Sequence, residues 1–391
     1  MIKRILTAVA AVAIGVGVVA SSTFAQEKTV RIGFSLSQTG LFSQAAPSQM
    51  TVYELWRDEV NARGGLNVAG EQRMIEFVSY DDKSIPSDID PIYERLITID
   101  KVDLLLPPWG TPNHLALAGV AERHKFPVVG NTAASVAVRE VNPGYIWFPT
   151  SLFPDRFAIE MTSMLLQLGV KSVAVIANVL AFPQENFQFL IPALEEGGIE
   201  VKVSENYPPD ISDMTPVLTK IKNANVDGVI VLSFPADTFL YMGQSREIGL
   251  DNAFQFVLVG PSIAVFRQAF GDWADGIVTM GHWSPYGGQW EGALDFFNAY
   301  VERYDIEPDF LDSALTYVSL QILEQAVATA GLDREELRRT IASQTFQTIN
   351  GPVRFSGIEN VTLETGFLQI QNGQIHIVWP ASMATSTFMP R

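Results

Sequence analysis

The chain has 391 residues, no cysteine, and a formal charge of −17 from 43 acidic against 26 basic side chains. That excess of acid repels phosphate backbones and anionic lipid, which argues against nucleic-acid and membrane-surface binding, and without cysteine no disulfide contributes to stability. An apolar share of 47% fits a globular protein, neither disordered nor a multi-span membrane protein.

The first element is a leader. Met1-Ile2-Lys3-Arg4 is a basic start, Ile5 to Ala20 is almost unbroken apolar, and Ser21-Ser22-Thr23-Phe24-Ala25 brings small residues to a cleavage point between Ala25 and Gln26. This predicts a signal peptide over residues 1–25 and a periplasmic protein. The apolar core is barely long enough to span a bilayer, and its polar, small-residue flank favours cleavage over anchoring. With no cysteine to modify, a lipid anchor is not expected. Loss of Lys3 and Arg4 leaves 24 basic against 43 acidic residues, or −19. The remaining chain, about 365 residues, is long enough to build a large core, most simply as two domains.

Strand-like runs then alternate with amphipathic stretches. Strands are predicted at Val30–Leu36, Met74–Tyr80, Val102–Leu106 and Pro127–Gly130, with helices at Ser48–Ala62, Ser87–Ile99 and Asn113–His124. A second series follows: strands Ser172–Ile176, Ile199–Ser204, Gly228–Leu232 and Phe256–Val259, with helices Asp155–Leu168, Gln184–Glu196, Asp213–Ala224 and Asp237–Ile248. Such alternation builds parallel sheets with helices on both faces, and two series in succession predict two α/β lobes. From Glu291 three helices are expected, over Glu291–Tyr304, Asp312–Ala330 and Asp333–Ala342. Short strands then follow at Val353–Phe355, Gly366–Gln371 and Ile375–Trp379, with a hairpin turn at Gln371-Asn372-Gly373-Gln374. The last dozen residues read as a loose tail. No low-complexity linker separates the halves, which predicts several short connections and hence a hinge.

Catalytic signatures are missing: there is no Walker A sequence, no Gly-x-Ser-x-Gly and no His-Glu-x-x-His. Gly15–Ala20 spells a Gly-x-Gly-x-x-Ala, but inside the leader. Asp81-Asp82 lacks a third acid at useful spacing and reads as a polar loop, and His114, His124, His282 and His376 are scattered. No enzyme activity, metal or cofactor is expected.

One loop does point to a site. The apolar run Val102–Leu106 feeds Pro107-Pro108-Trp109-Gly110-Thr111-Pro112-Asn113, in which Thr111 reads as an N-cap and Pro112 as the first helical residue. Free helix N–H groups at the C-terminal edge of a parallel sheet are where anions and ligands bind in open α/β folds. Alternatively, the Thr111 hydroxyl caps its own helix. Trp109 can stack on a ligand or be buried.

Val30-Arg31-Ile32-Gly33-Phe34-Ser35-Leu36 with Thr39-Gly40 resembles the opening of the periplasmic leucine/isoleucine/valine-binding protein family. The resemblance extends through Asn61-Ala62-Arg63-Gly64-Gly65-Leu66, Tyr80-Asp81-Asp82-Lys83-Ser84 and Tyr207-Pro208-Pro209. It continues through Leu218-Thr219-Lys220-Ile221-Lys222 and Gly243-Gln244-Ser245-Arg246-Glu247-Ile248-Gly249-Leu250. It implies a type I periplasmic binding protein: an α/β fold with two doubly wound parallel-sheet lobes joined by a three-crossover hinge. The crossovers would fall near Phe148-Pro149, Val278–Met280 and Gly351-Pro352. One lobe would hold 27–148 plus 280–352, the other 149–279 plus 353–391.

The implied role is a monomeric solute-binding component of an ABC importer. It would capture a branched-chain amino acid or a related small carboxylate or amide and deliver it to an inner-membrane ABC permease. The alternative is a periplasmic module that senses aromatic or deaminated carboxylates. By resemblance the ligand carboxylate is held at Gly110, Thr111, Thr132, Ala133 and Ala134, while Phe182 and Phe234 cover the ligand from the other lobe. In this family an acid after a Gly-Pro step holds the ligand ammonium, but Gly260-Pro261 is followed here by Ser262. A buried ammonium without a counter-charge costs several kcal/mol. Either Asp237 substitutes, or the ligand has no ammonium; the aromatic residues then favour deaminated or aromatic carboxylates.

Overall fold

A computed structural model describes residues 29–391 except Asn142. The expected signal peptide lies outside the described residues.

Strand Thr29–Leu36 sits inside a four-stranded sheet, flanked in parallel by Glu71–Asp81 and Leu104–Leu105; Leu66–Val68 adds an antiparallel edge to Glu71–Asp81. Val128–Val129 and Ile146–Trp147 form a further parallel pair. A second sheet has seven strands. Ile277–Met280, Phe254–Val257, Gly228–Leu232, Ser172–Asn178 and Glu200–Tyr207 run parallel in that spatial order, and Phe367–Gln371 and Gln374–Trp379 close one edge antiparallel. Every residue of Ser172–Asn178 and Gly228–Leu232 is buried, as expected of parallel strands covered on both faces. Edge strand Glu200–Tyr207 instead alternates toward solvent.

Helix packing explains the layers. Phe157, on helix Pro154–Gln167, meets Phe256 and Phe367 at ring centroids 5.3 and 5.6 Å apart, locking that helix to the seven-stranded sheet. Burial of one such ring stabilises by about 1.5–3 kcal/mol. The first sheet is completed from far away in sequence. Helix Asp312–Ala330 packs on helix Pro47–Ala62, where Tyr317 donates to Glu59 at 3.1 Å and Trp56 to Glu324 at 2.9 Å. The chain thus builds one lobe, crosses to the other and returns.

Three segments run side by side between the sheets. Phe148 exchanges backbone hydrogen bonds with Ile358 and Asn360, and Gly281 N–H donates to Gly366 O. The Asn360 amide donates to Pro149 O at 2.9 Å, and Thr365 to Ser151 O at 2.6 Å. His282 is wedged between Thr150 and Asn350.

Two local expectations are corrected. The C-terminal dozen is not loose. Buried Gln369 holds the Met389 backbone by both its amide groups, Gln371 donates to Thr387 O, and Arg391 reaches Gln255 at 3.0 Å and Trp273 O at 2.7 Å. Polar side chains on an otherwise apolar strand need partners, and the tail backbone provides them. The helix after Gly110 also starts one residue early: Gly110 is the N-cap, in a conformation (φ 85°, ψ 151°) open to glycine, and Thr111 is the first helical residue with no capping bond. The hairpin turn forms where expected, with Asn372 and Gly373 at φ 51° and 75°, the pair of positive angles a type I′ turn requires.

Candidate functional site

The parallel strands of both sheets point their C-terminal ends at one cavity, whose open space together with the solvent at its mouth is about 430 Å³. The turn after Leu104–Leu105 contributes Trp109, Gly110 and Thr111, and the turn after Val128–Val129 contributes Asn131, Thr132, Ala133 and Ala134. Thr150 and Leu152 follow Ile146–Trp147. From the seven-stranded sheet come Phe182, Phe234, Val259 and Met280, each within or just past the end of a strand; helix Asp312–Ala330 adds Asp312 and Leu315, with Leu311 before it. The site therefore lies where open α/β sheets place ligands.

Eight of the residues singled out in the sequence line this cavity: Trp109, Gly110, Thr111, Thr132, Ala133, Ala134, Phe182 and Phe234. The two turns are tied together, because Gly110 N–H donates to the Thr132 hydroxyl at 2.9 Å and Asn131 Oδ1 accepts from Thr132 N–H at 2.6 Å. His114 Nδ1 lies 2.9 Å from Gly110 O and braces the same turn from below. The amides of Thr111, Ala133 and Ala134 have no acceptor among the described residues, nor has the Thr111 hydroxyl, which removes self-capping as its role. Three N–H groups and a hydroxyl around one wall make a neutral cradle fit for a carboxylate.

Asp237 and Ser262 are not brought to the cavity wall. Asp237 is the third residue of helix Pro235–Ile248. Its Oδ1 accepts Phe234 N–H at 3.0 Å, and its Oδ2 accepts the Tyr207 hydroxyl at 2.6 Å and the Asn178 amide at 3.1 Å. Burial pushes this carboxyl up, and the three donors offset part of the cost. Its work is to fix the Phe234 backbone. Ser262 lies beyond the cavity, where its carbonyl accepts from Phe310 N–H and from Arg267, each at 3.4 Å.

Asp81 and Asp82 are engaged in the polar loop. Asp81 accepts from the Gln38, Thr39 and Lys83 backbones, and Asp82 from the hydroxyls of Ser35 and Ser37.

Two cavity features were not foreseen. Phe42, in the turn after the first strand, packs on Trp109 and Phe234 at centroid distances of 5.0 and 5.6 Å, so three rings meet across the cleft. Asp312 is the only ionisable side chain in the cavity lining, and its Oδ2 accepts the Trp109 indole N–H at 2.8 Å. One signal for Asp312 was present. The helix it opens carries no further charged residue until Glu324, so the acid stands apart from any charged, solvated face.

This is the architecture of a two-lobed receptor with its ligand cavity between sheets, and the chain belongs to the periplasmic binding protein family, whose profile matches residues 29–370. Among the relatives it is similar to are Leu/Ile/Val-binding protein homologues. The Leu/Ile/Val-binding protein homolog 7 of Brucella melitensis is 22% identical over 354 residues, covering 85% of this chain and 87% of its own. The isoleucine-bound substrate-binding protein of the Streptococcus pneumoniae branched-chain amino acid transporter superposes with a TM-score of 0.78 at 21% identity, over 89% of this chain and 98% of that one. An ABC-transporter solute-binding protein of Rhodopseudomonas palustris, in complex with 3,4-dihydroxybenzoic acid, gives a TM-score of 0.75 at 22% identity, over 92% and 95%.

Proposed function

We propose that this protein is the periplasmic solute-binding component of an ABC importer, taking up a branched-chain amino acid or a related small carboxylate or amide. The observation that carries this reading is the cavity itself, whose lining combines free backbone amides at Thr111, Ala133 and Ala134 with the rings of Trp109, Phe182 and Phe234. The amides receive the ligand carboxylate, and the rings cover its apolar part. The lobes divide at residues 148–149, 278–280 and 351–352, giving 27–148 plus 280–352 and 149–279 plus 353–391. Closure around the ligand shifts the open–closed equilibrium by the ligand's greater affinity for the closed form, and that form engages the permease. The mature chain starts at Gln26 and works as a monomer in the periplasm.

The test is a thermal-shift screen of ligand-stripped mature protein against amino acids, amides and aromatic acids. A ligand at 100 times its Kd stabilises the native state by about 2.7 kcal/mol, so the correct class stands out as a raised melting temperature. A screen in which no member of these classes shifts the transition rejects the reading.

A further inference from the structure

The acid missing after Gly260-Pro261 has a counterpart elsewhere on the cavity wall. Asp312 is only 5% exposed, and Trp109 occupies one of its oxygens. Its other oxygen, Oδ1, has no donor among the described residues, and no cation pairs with Asp312 there. Asp309 is equally buried close by, accepting Leu311 N–H at 2.9 Å. The cation at this end is Arg267, which is paired with Glu307 and lies over the Phe310 ring at 5.5 Å, with Tyr286 its remaining titratable neighbour. Glu307 and Asp309 thus share this guanidinium, and Asp312, the carboxyl in the cavity lining, has no cation among the described residues.

We propose that Asp312 is the specificity-determining group of this site, that it binds a ligand ammonium, and that the ligand class is therefore zwitterionic α-amino acids with apolar side chains rather than deaminated acids. This rests on the solute-binding reading above. The charge balance explains the choice. A monoanion would bring a further negative charge to a cavity end already rich in carboxyl groups, whereas a zwitterion places its carboxylate at the free amides and its ammonium at Asp312. Burial and the neighbouring Asp309 hold the Asp312 carboxyl above the usual carboxylate range, so a cation that pairs with it relieves the cost of its charged form. On binding, the Asp312 carboxylate accepts an N–H from the ammonium, and any proton it holds leaves to solvent.

The experiment is calorimetry on ligand-stripped mature protein with two matched pairs: leucine with 4-methyl-2-oxopentanoate, and phenylalanine with phenylpyruvate. Each titration is run at about pH 7. Asp312→Asn, which keeps an acceptor for Trp109, accompanies the wild type. The expected wild-type result is at least one amino acid bound roughly 10-fold or more above its 2-oxo partner. The variant should lose roughly 100-fold in amino-acid affinity and change less than about fivefold toward the 2-oxo acid. Should the variant fail to fold, the wild-type preference within each pair decides, and equal or weaker binding of the amino acid overturns the assignment. Unchanged amino-acid affinity in Asp312→Asn, or tighter wild-type binding of a 2-oxo acid, also overturns it while leaving the solute-binding function standing. Wild type that binds none of the four, with the thermal screen blank, rejects that function and this inference together.

Discussion

Gly110→Ala isolates the backbone contribution of the carboxylate cradle. A methyl group there meets no crowding, since the nearest heavy atom to a Cβ would be Pro112 Cδ at 3.9 Å. The cost is conformational: φ 85° with ψ 151° lies in a region that side chains avoid, at about 1–3 kcal/mol. The loss of unfolded-chain freedom on replacing glycine offsets about 0.4–1 kcal/mol of this. If the loop holds its shape, the strain appears as lowered stability. If it relaxes, the Gly110–Thr132 bond breaks, the Thr111 amide turns from the cavity, and binding weakens instead. Asn113 and Asp312 hold Trp109 and His114 holds Gly110 O, but the Gly110 N–H is tied by the Thr132 hydroxyl alone among the described residues, so relaxation at that bond is the expected course. Affinity should then fall by roughly 5- to 100-fold, the factor for about 1–2.7 kcal/mol. Calorimetry with the ligand found in the thermal screen measures it, with urea unfolding alongside. Wild-type affinity in a variant destabilised by the expected strain would refute the placement of the carboxylate at this turn.

Arg267 and Glu307 are paired across the two lobes as proposed here, so Arg267→Gln should weaken ligand binding roughly 5- to 50-fold, mostly through faster release; stopped-flow fluorescence with unchanged release rates would count against it. Burial holds the imidazoles of His114 and His282 down to about 4, below the unfolded value of about 6.5. Each therefore contributes stability above pH ~6.5 that is lost as pH falls toward 4, at up to about 1.4 kcal/mol per pH unit. Asp237, Asp309 and Asp312, held up by burial, act in the opposite sense, so the check is comparative: His282→Gln should lose less stability than wild type between about pH 7 and pH 5 in urea unfolding. Arg391→Ala removes the contacts to Gln255, Trp273 O and the Trp273 ring and should cost about 1–3 kcal/mol of stability with ligand affinity unchanged; wild-type unfolding would show the tail to be dispensable.

The fold was legible because its strongest constraints are local. A strand buried on both faces must be apolar throughout, as Gly228–Leu232 is, and its expected and observed bounds coincide. Helix Asp312–Ala330 was equally plain from its length and composition. Element ends were less visible where hydrogen bonding rather than hydrophobicity sets them. The apolar run 102–106 keeps ladder pairing only at Leu104–Leu105, and the tail looks loose until Gln369 and Gln371 are seen to need its carbonyls.

The site divides along the same physical line. Residues that follow parallel strands were legible, because topology alone sends every strand end to one edge and whatever follows it to the cleft. Asp312 follows no strand. It reaches the cavity only because a helix encoded 203 residues after Trp109 packs beside that tryptophan, and an acid in the first turn of a helix ordinarily needs no explanation beyond the helix dipole. Asp237 misled for the opposite reason: its sequence neighbours place it near the cleft, but three donors from its own lobe already engage it. In one chain the acid that looked placed for a ligand holds a backbone, and the acid that looked like a helix start has an oxygen without a protein donor. Partner count, which only the tertiary structure supplies, separates the two roles: a buried carboxyl with every acceptor engaged is architecture, whereas one with a free oxygen on a cavity wall is open to a ligand.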